Sequence, residues 1–197
     1  MPAPLEPGTF LIASLGLEDP TFARTVVLIL QHVPDELTLG VIINRPLGDR
    51  AKDYPSEELD SITEGLEFDE SVPRSDLFYQ GGPVERESLI FLHRVEHLKG
   101  DATPIVPGLF AGGDLDALRE FTDAEDEGPF VRFYLGYSEW APGQLESEIA
   151  LGAWILAPGG TELVFSEDPD TAWQQALQAL GGKYAPMSFI PEDPSLN

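Results

Sequence analysis

The sequence predicts an α+β fold in a single domain with a mixed β-sheet. The chain has 197 residues, enough for one sizeable core, and 42% of them are hydrophobic. Most segments are rich in β-branched and aromatic residues, as strands are. Helical segments fall between the strands irregularly, without the strand–helix–strand repetition of a doubly wound sheet. We assign residues 1–185 to this domain and expect the Pro-rich tail, 186–197, to be poorly ordered.

Strand patterns dominate the first half of the chain. TFLIAS at 9–14 reads as a first strand, and RTVVLILQH at 24–32 is continuously apolar, as a strand buried on both faces would be. After the PDEL turn, TLGVIINRP at 38–46 follows as its partner, and we expect the two to form a central hairpin. Residues 48–70 are acidic and irregular, with one short helix expected near 56–62.

Strand and helix patterns are interleaved in the second half. The clearest helix is DPDTAWQQALQALGG at 168–182, which has an acidic start, an apolar stripe and a glycine stop at Gly181. Further strands are predicted at 77–84, 88–94, 130–138, 153–158 and 162–166. Two further helices are predicted: one begins at Asp114, and the other covers 143–151.

The charge balance argues against some classes of function. Lys and Arg number 11 against 35 Asp and Glu, a net charge of −24. Because cations that neutralise phosphates supply most nucleic-acid affinity, this balance opposes a large DNA or RNA footprint, and it disfavours anionic membrane surfaces for the same reason. Concentrated salt would screen the self-repulsion. Two interpretations remain: the host has a high internal salt concentration, or the protein is an acidic protein of an ordinary mesophilic host.

The cysteine content and the N-terminus bear on the compartment. The chain contains no cysteine, which excludes disulfides, thiolate metal sites and cysteine nucleophiles. The N-terminus, MPAPLEPGTF, has neither a basic region nor an apolar stretch. The longest apolar run, 26–30, is far short of a membrane span. We expect a cytoplasmic protein without a membrane contact.

Two candidate catalytic patterns are incomplete. GYSEW at 136–140 approaches the Gly-x-Ser-x-Gly nucleophile elbow, but Trp140 stands where the sharp turn needs glycine. Ser138 is therefore interpreted as a strand-end or capping hydroxyl. His93 and His97 are four residues apart, which suits one face of a helix, yet SLIFLHRV predicts a strand through His93. Structural histidines are favoured over a metal site, and no cofactor is assigned.

The glycine-rich segment QGGPVE could bind an anion through its backbone N–H groups. However, no Gly-Lys-Ser/Thr follows it, and no further glycine stands at dinucleotide spacing. The favoured interpretation is a turn, in which Gly81 and Gly82 supply unusual backbone angles and Pro83 fixes the exit.

The arginines of the first half are a second candidate for anion binding. Arg45 precedes Pro46, which holds its backbone extended and displays its side chain from a strand end. Arg45, Arg86 and Arg94 could converge into a small positive pocket. The favoured interpretation is that they are solvated and pair with neighbouring glutamates.

The segment GYSEWAPGQLESEIALGAW at 136–154 predicts a rigid strand–loop–helix corner. Leu145 and Ile149 lie one helical turn apart and should pack inward. Gly152 can end the helix in the left-handed conformation. Gln144 has no apolar role, and its amide either hydrogen-bonds the Trp140 loop or faces a ligand.

Six motifs are spaced along nearly the whole chain: GTFLIAS, DPTFARTVVLILQH, LGVIINRPL, YQGGPV with FLH after it, GYSEWAPGQLESEI, and AWILAP before the last Trp-bearing helix. In this order they resemble the YqgE/AlgH family of bacterial proteins, apart from Glu139, where the family usually has a small residue. The resemblance implies an α+β fold whose branched sheet curls into a barrel-like shape with peripheral helices. It implies no established reaction, and the role attached to the family name is transcriptional regulation of alginate synthesis.

The sequence thus predicts a non-catalytic binding or regulatory module that acts through a protein or small-molecule partner. The residues assigned to its surface are Asn44, Arg45, Pro46, Gly81, Gly82, Pro83, His93, Trp140 and Gln144. One alternative is a hydrolase or transferase with His93 as base and an arginine clamp. The other is a regulator that contacts nucleic acid, which the net charge disfavours.

Overall fold

Nine strands form one mixed sheet in the part of the chain that the computed structural model describes, namely residues 3–17, 19–48, 77–98, 100–114, 117 and 131–191. The strands are β1 (Thr9–Ala13), β2 (Val26–His32), β3 (Thr38–Ile42), β4 (Phe78–Gln80), β5 (Val84–His93), β6 (Thr103–Val106), β7 (Leu109–Ala111), β8 (Val131–Trp140) and β9 (Trp154–Pro158). The described residues include three α-helices with defined bounds: α1 (Gln144–Ala150), α2 (Thr161–Val164) and α3 (Ala172–Leu180). Short 3-10 helices cover Pro169–Thr171 and Ala185–Phe189.

The sheet branches at β8. The strand order is β6-β7-β5-β8-β3-β2-β1-β9, and β4 lies off this path beside β8. The first half of β8 pairs in parallel with β4 and antiparallel with β5, whereas Ser138 to Trp140 pair antiparallel with β3. One long strand therefore belongs to two parts of the sheet, as expected from the resemblance.

Three glycines allow the chain to cross at this branch. The Gly81 N–H donates to Leu135 O, and Gly81 O accepts the N–H of Ile42, both at 2.8 Å. A Cβ on Gly81 would lie 2.2 Å from Gly136 O, and one on Gly82 would lie 2.1 Å from the Tyr137 carbonyl carbon. Backbones approach here more closely than any side chain permits. The glycine-rich segment is therefore a strand crossing, and the predicted turn with unusual backbone angles is wrong, because neither Gly81 nor Gly82 has a positive φ.

The sheet curls until its two ends approach each other. A Cβ on Gly8, the residue before β1, would lie 2.8 Å from Ile105 O in the edge strand β6. The sheet is a curled half-barrel with few helices, which confirms the predicted α+β class. Its β2–β3 pair is antiparallel, as predicted for the central hairpin, and Val26 to Ile29 are fully buried.

Most predicted elements are present, with one error. The strand predicted at 162–166 is wrong, because Thr161–Val164 forms helix α2 directly after Gly160. The predicted tail begins with the 3-10 helix Ala185–Phe189, which packs against α3, so this part of it is ordered. Residues 192–197, the predicted helix at 56–62 and most of the helix beginning at Asp114 lie outside the described residues. Among the described residues, no helix is long and apolar enough to cross a membrane.

Candidate functional site

The end of the β2–β3 hairpin holds Arg24 in an uncommon backbone conformation. Arg24 has φ 54°, in the left-handed region that L-residues rarely adopt. The side chain of Asn44, just after β3, fixes it by donating Nδ2 to Arg24 O at 3.0 Å and accepting the Val26 N–H on Oδ1 at 2.8 Å. Both polar groups of Asn44, which is 6% exposed, are therefore used by the backbone. Asn44 positions Arg24 at this corner.

Arg45 follows on the same side of the hairpin. Its Nη2 donates to Ala23 O at 2.5 Å, and its own carbonyl accepts the N–H of Gln80 at 2.9 Å. Pro46 forms an isolated bridge with Tyr79, so this segment runs beside β4. The Arg45 guanidinium is therefore anchored to the Ala23 carbonyl, beyond the end of β3.

Arg24 and Arg45 line a cavity of about 460 Å³, which we call the Arg24–Arg45 cavity. One wall comes from the hairpin, through residues 23–24 and 44–45, and a second from Asp170 and Gln174 beside and within α3. Residues 188–191, at the end of the described chain, form the third wall. The cavity joins three elements that are far apart in the sequence, and its size is typical of small-molecule sites.

The Arg24 side chain is held against the other walls. Its guanidinium carbon lies 4.7 Å from the centre of the Trp173 ring, and its Nη2 donates to Ile190 O at 2.7 Å. Arg24 makes no ion pair within the described residues, although Asp170 lines the same cavity. Gln174 Oε1 is buried and has no hydrogen-bond partner among the described residues.

His93, the base of the enzymatic alternative, is sealed inside the protein. Its side chain is 0% exposed and lies between Phe91 and Phe110. Since Nδ1 accepts the N–H of Val95 at 3.2 Å, Nε2 carries the proton and donates to Gly112 O at 2.9 Å. Burial lowers the pKa of this imidazole, which favours the neutral form. Both ring nitrogens are engaged, and neither can reach a substrate proton in this arrangement.

The corner between β8 and β9 is tied together by one carboxylate. Glu148 Oε2 accepts the indole N–H of Trp140 at 3.0 Å and of Trp154 at 2.8 Å. Glu148 Oε1 accepts from Gln144 Nε2 at 2.9 Å, and Gln144 Oε1 accepts the Ala141 N–H at 3.1 Å. Of the two roles considered for Gln144, the observed one is therefore the hydrogen bond to the Trp140 loop.

Side-chain packing completes this corner. Leu145 is fully buried and Ile149 packs against the same hydrophobic cluster, as predicted from their spacing. Gly152 has φ 79°, the predicted left-handed conformation after the helix. Ser138 is 0% exposed, and its hydroxyl donates to Gly81 O at 3.4 Å, which fits the predicted strand-end role.

The structure does not bring all the predicted surface residues together. Of these, Asn44 and Arg45 line the cavity, and Gly81 and Gly82 lie buried at the strand crossing, where Pro83 is exposed. The others lie elsewhere in the fold: His93 in the core and Trp140 with Gln144 at the corner.

The convergence of Arg45, Arg86 and Arg94 into one pocket, the less favoured interpretation, is not observed. Arg94 is placed over the Phe165 ring at 4.6 Å, and Arg86 is exposed on β5, so neither lines the Arg24–Arg45 cavity.

A further arginine, Arg132, serves the fold. It is 2% exposed, its Nη1 donates to Val164 O at 2.5 Å, and its Nη2 donates to Ser166 O. These carbonyls lie at the C-terminal end of α2, where a cation is favourable. Within the described residues, no cluster of three or more His, Asp or Glu side chains could hold a metal ion.

Sequence reasoning missed Arg24. Its position is fixed by the Asn44 side chain across the hairpin, and which residues face each other there depends on a register that only the structure supplies. The contributions of Asp170 and Gln174 depend on tertiary packing and likewise had no local signal.

Comparisons with known proteins agree with this architecture. The family model described as AlgH-like matches residues 10–185. A UPF0301 protein of Chlamydia caviae is 37% identical, with 98% of this chain and 96% of that protein covered. A UPF0301 protein of Chlorobaculum tepidum is 34% identical at the same coverage.

Two solved structures are also similar. The solution structure of the AlgH protein from Pseudomonas aeruginosa has a TM-score of 0.66 and 25% identity, with 98% of each chain covered. A crystal structure of a Corynebacterium diphtheriae protein has a TM-score of 0.70, covering 96% of this chain and 95% of that one. At 23% identity, the latter comparison speaks to the fold alone.

Proposed function

The chain belongs to the AlgH-like family, and we propose that it is a non-catalytic binding or regulatory module whose site is the Arg24–Arg45 cavity. The observation that carries the proposal is the charge of this cavity. Two of the 11 basic residues of a chain with net charge −24 line one cavity of about 460 Å³. Cationic groups at the wall of a small polar cavity are typical of sites that orient a charged ligand.

The backbone at Arg24 supports the same assignment. A non-glycine residue in the left-handed region is held there at a free-energy cost of about 1–2 kcal/mol. Asn44, which is 6% exposed, maintains that conformation with hydrogen bonds from both polar groups of its side chain. Residues kept in strained conformations are concentrated at ligand sites.

The other two functions have less support. A hydrolase or transferase would need an accessible base, and His93 is fully buried with both nitrogens engaged. A nucleic-acid regulator would need a basic surface, which a net charge of −24 opposes. A protein that senses a small molecule fits the geometry better than either.

The proposal can be tested by native mass spectrometry after incubation with a small-molecule extract of bacterial cells. We expect a bound mass on the wild-type protein that is absent from Arg24→Gln. The matched control is Arg94→Gln, which removes the same charge from an arginine outside the cavity and should keep the bound mass.

Two outcomes would contradict the proposal: no bound mass on the wild-type protein, or the same bound mass on all three proteins. Since Arg24 also donates to Ile190 O, circular dichroism must show that Arg24→Gln is folded. If Arg24→Gln does not fold, Asp170→Asn takes its place: it changes an exposed side chain of the same cavity and should alter the amount of bound mass relative to the wild-type protein.

A further inference from the structure

The Arg24–Arg45 cavity is electrostatically polarised. Its hairpin wall includes two arginines, Arg24 and Arg45. Its helical wall includes the acidic Asp170 and the neutral, polar Gln174. A simple anion would be attracted by the first wall and repelled by the second. A simple cation would meet the opposite arrangement.

These opposite charges are held apart. Arg24 is restrained by its contact with the Trp173 ring at 4.7 Å and by its hydrogen bond to Ile190 O. Asp170 lies on the 3-10 helix before α3 and forms no ion pair within the described residues. Here the gap between them is available to a ligand that carries both charges.

We infer that the cavity binds a zwitterionic small molecule of the α-amino-acid class. In this arrangement the ligand carboxylate lies on the Arg24 guanidinium, whose planar fork matches a carboxylate. The ligand ammonium group faces the Asp170 carboxylate and the Gln174 amide oxygen. This inference rests on the proposed function, because it names the ligand class of the same cavity. The volume of about 460 Å³ leaves room for a free amino acid with its side chain.

The net charge of the protein favours such a ligand over an anion. At −24, the chain repels anions at long range, which slows their association and lowers their affinity at low salt. A zwitterion has no net charge and does not experience this repulsion. Its affinity should therefore depend little on salt concentration.

Isothermal titration with each of the standard L-amino acids is the first step of the test. The tightest binder is then compared with its N-acetyl derivative, which lacks the ammonium charge, and with its amide, which lacks the carboxylate. Each derivative should bind at least about tenfold more weakly, because each loses a charge-assisted pair. Arg24→Gln should weaken binding of the free amino acid by a similar factor, and so should Asp170→Asn.

Matched controls remove the same charges outside the cavity: Arg94→Gln for arginine and Asp101→Asn for an exposed aspartate. Both should bind the amino acid like the wild-type protein. Asp170 is exposed, so its variant reports on binding even if Arg24→Gln fails to fold.

The remaining outcomes separate this inference from the proposed function. An N-acetyl derivative that binds as tightly as the free amino acid would identify an anion site, and an equally tight amide would identify a cation site. Either result overturns the zwitterion inference while the proposed function stands. If no amino acid binds the wild-type protein, the inference is also overturned, and the experiment with the cell extract then decides the proposed function.

Discussion

Replacing Glu148 with alanine should be among the most destabilising single changes in the described part of the chain. Its carboxylate accepts three hydrogen bonds, at 3.0 and 2.8 Å from Trp140 and Trp154 and at 2.9 Å from Gln144. The two tryptophans are 2% and 3% exposed, so their indole N–H groups lose their acceptor in a buried setting. Each buried donor left without a partner costs about 1–3 kcal/mol. We expect a loss of about 4 kcal/mol, a large part of the 5–15 kcal/mol that is typical of domains.

Urea unfolding followed by tryptophan fluorescence measures this loss, because two of the three tryptophans belong to the corner. Glu146→Ala is the matched control on the same helix. Its carboxylate is 48% exposed and lies 3.9 Å from His32, an arrangement that contributes about 0–1 kcal/mol. Glu148→Gln retains an acceptor oxygen, so its loss of unfolding free energy should lie between those of Glu148→Ala and Glu146→Ala. If the free energies of unfolding of Glu148→Ala and Glu146→Ala differ by less than about 0.5 kcal/mol, the Glu148 carboxylate does not stabilise the corner.

Three further predictions concern the glycine crossing, the buried histidine and the acidic surface. Gly81→Ala should destabilise the fold by about 3 kcal/mol or more, since its Cβ would lie 2.2 Å from Gly136 O. Gly143→Ala, with open space around it, should lose only about 1–2 kcal/mol in the same urea titration. His93 has a lowered pKa, so the unfolded chain binds a proton that the folded chain excludes, and stability should fall as pH drops below about 6.5. His93→Gln should remove that slope from the pH series, and an unchanged slope would contradict the assignment. If the acidic composition is an adaptation to high internal salt, the melting temperature should rise towards 1 M KCl, where screening acts within about 3 Å, and a flat or falling series would count against it.

The strands could be predicted because the residue types within each segment favour a strand without reference to distant parts of the chain. The segment from Val26 to Leu30 is apolar on both faces, so as a strand it must lie inside a sheet, where both faces are covered. In the structure, β2 lies between β1 and β3. The error at 162–166 has a local cause as well. Val164 and Phe165 of this segment favour a strand by propensity, but the chain packs residues 161–164 as α2 against α3. Tertiary contact decides so short a segment.

The site was harder to predict, because its residues are distant in the sequence. Arg24 and Arg45 line the same cavity because they flank a hairpin that the sequence predicted, whereas Asp170 lines it only because α3 packs on β1 and β2. Packing of a helix on a sheet depends on the shape of the whole core. The branch at β8 had the same difficulty. Gly81 and Gly82 were expected to supply unusual backbone angles for a turn, whereas they permit a close backbone crossing, and their crossing partner Gly136 is more than 50 positions away.

The motifs that identify the family and the residues that could bind a ligand differ in their physical role. The segments around Gly81 and Trp140 are explained by contacts within the fold: backbones too close for a side chain, and indoles held by Glu148. Arg24 is different, because its left-handed backbone opposes stability. A feature that lowers stability and is actively held in place by Asn44 needs a reason beyond folding, and a ligand that neutralises the guanidinium supplies one. The functional hypothesis therefore belongs to the hairpin end and its cavity.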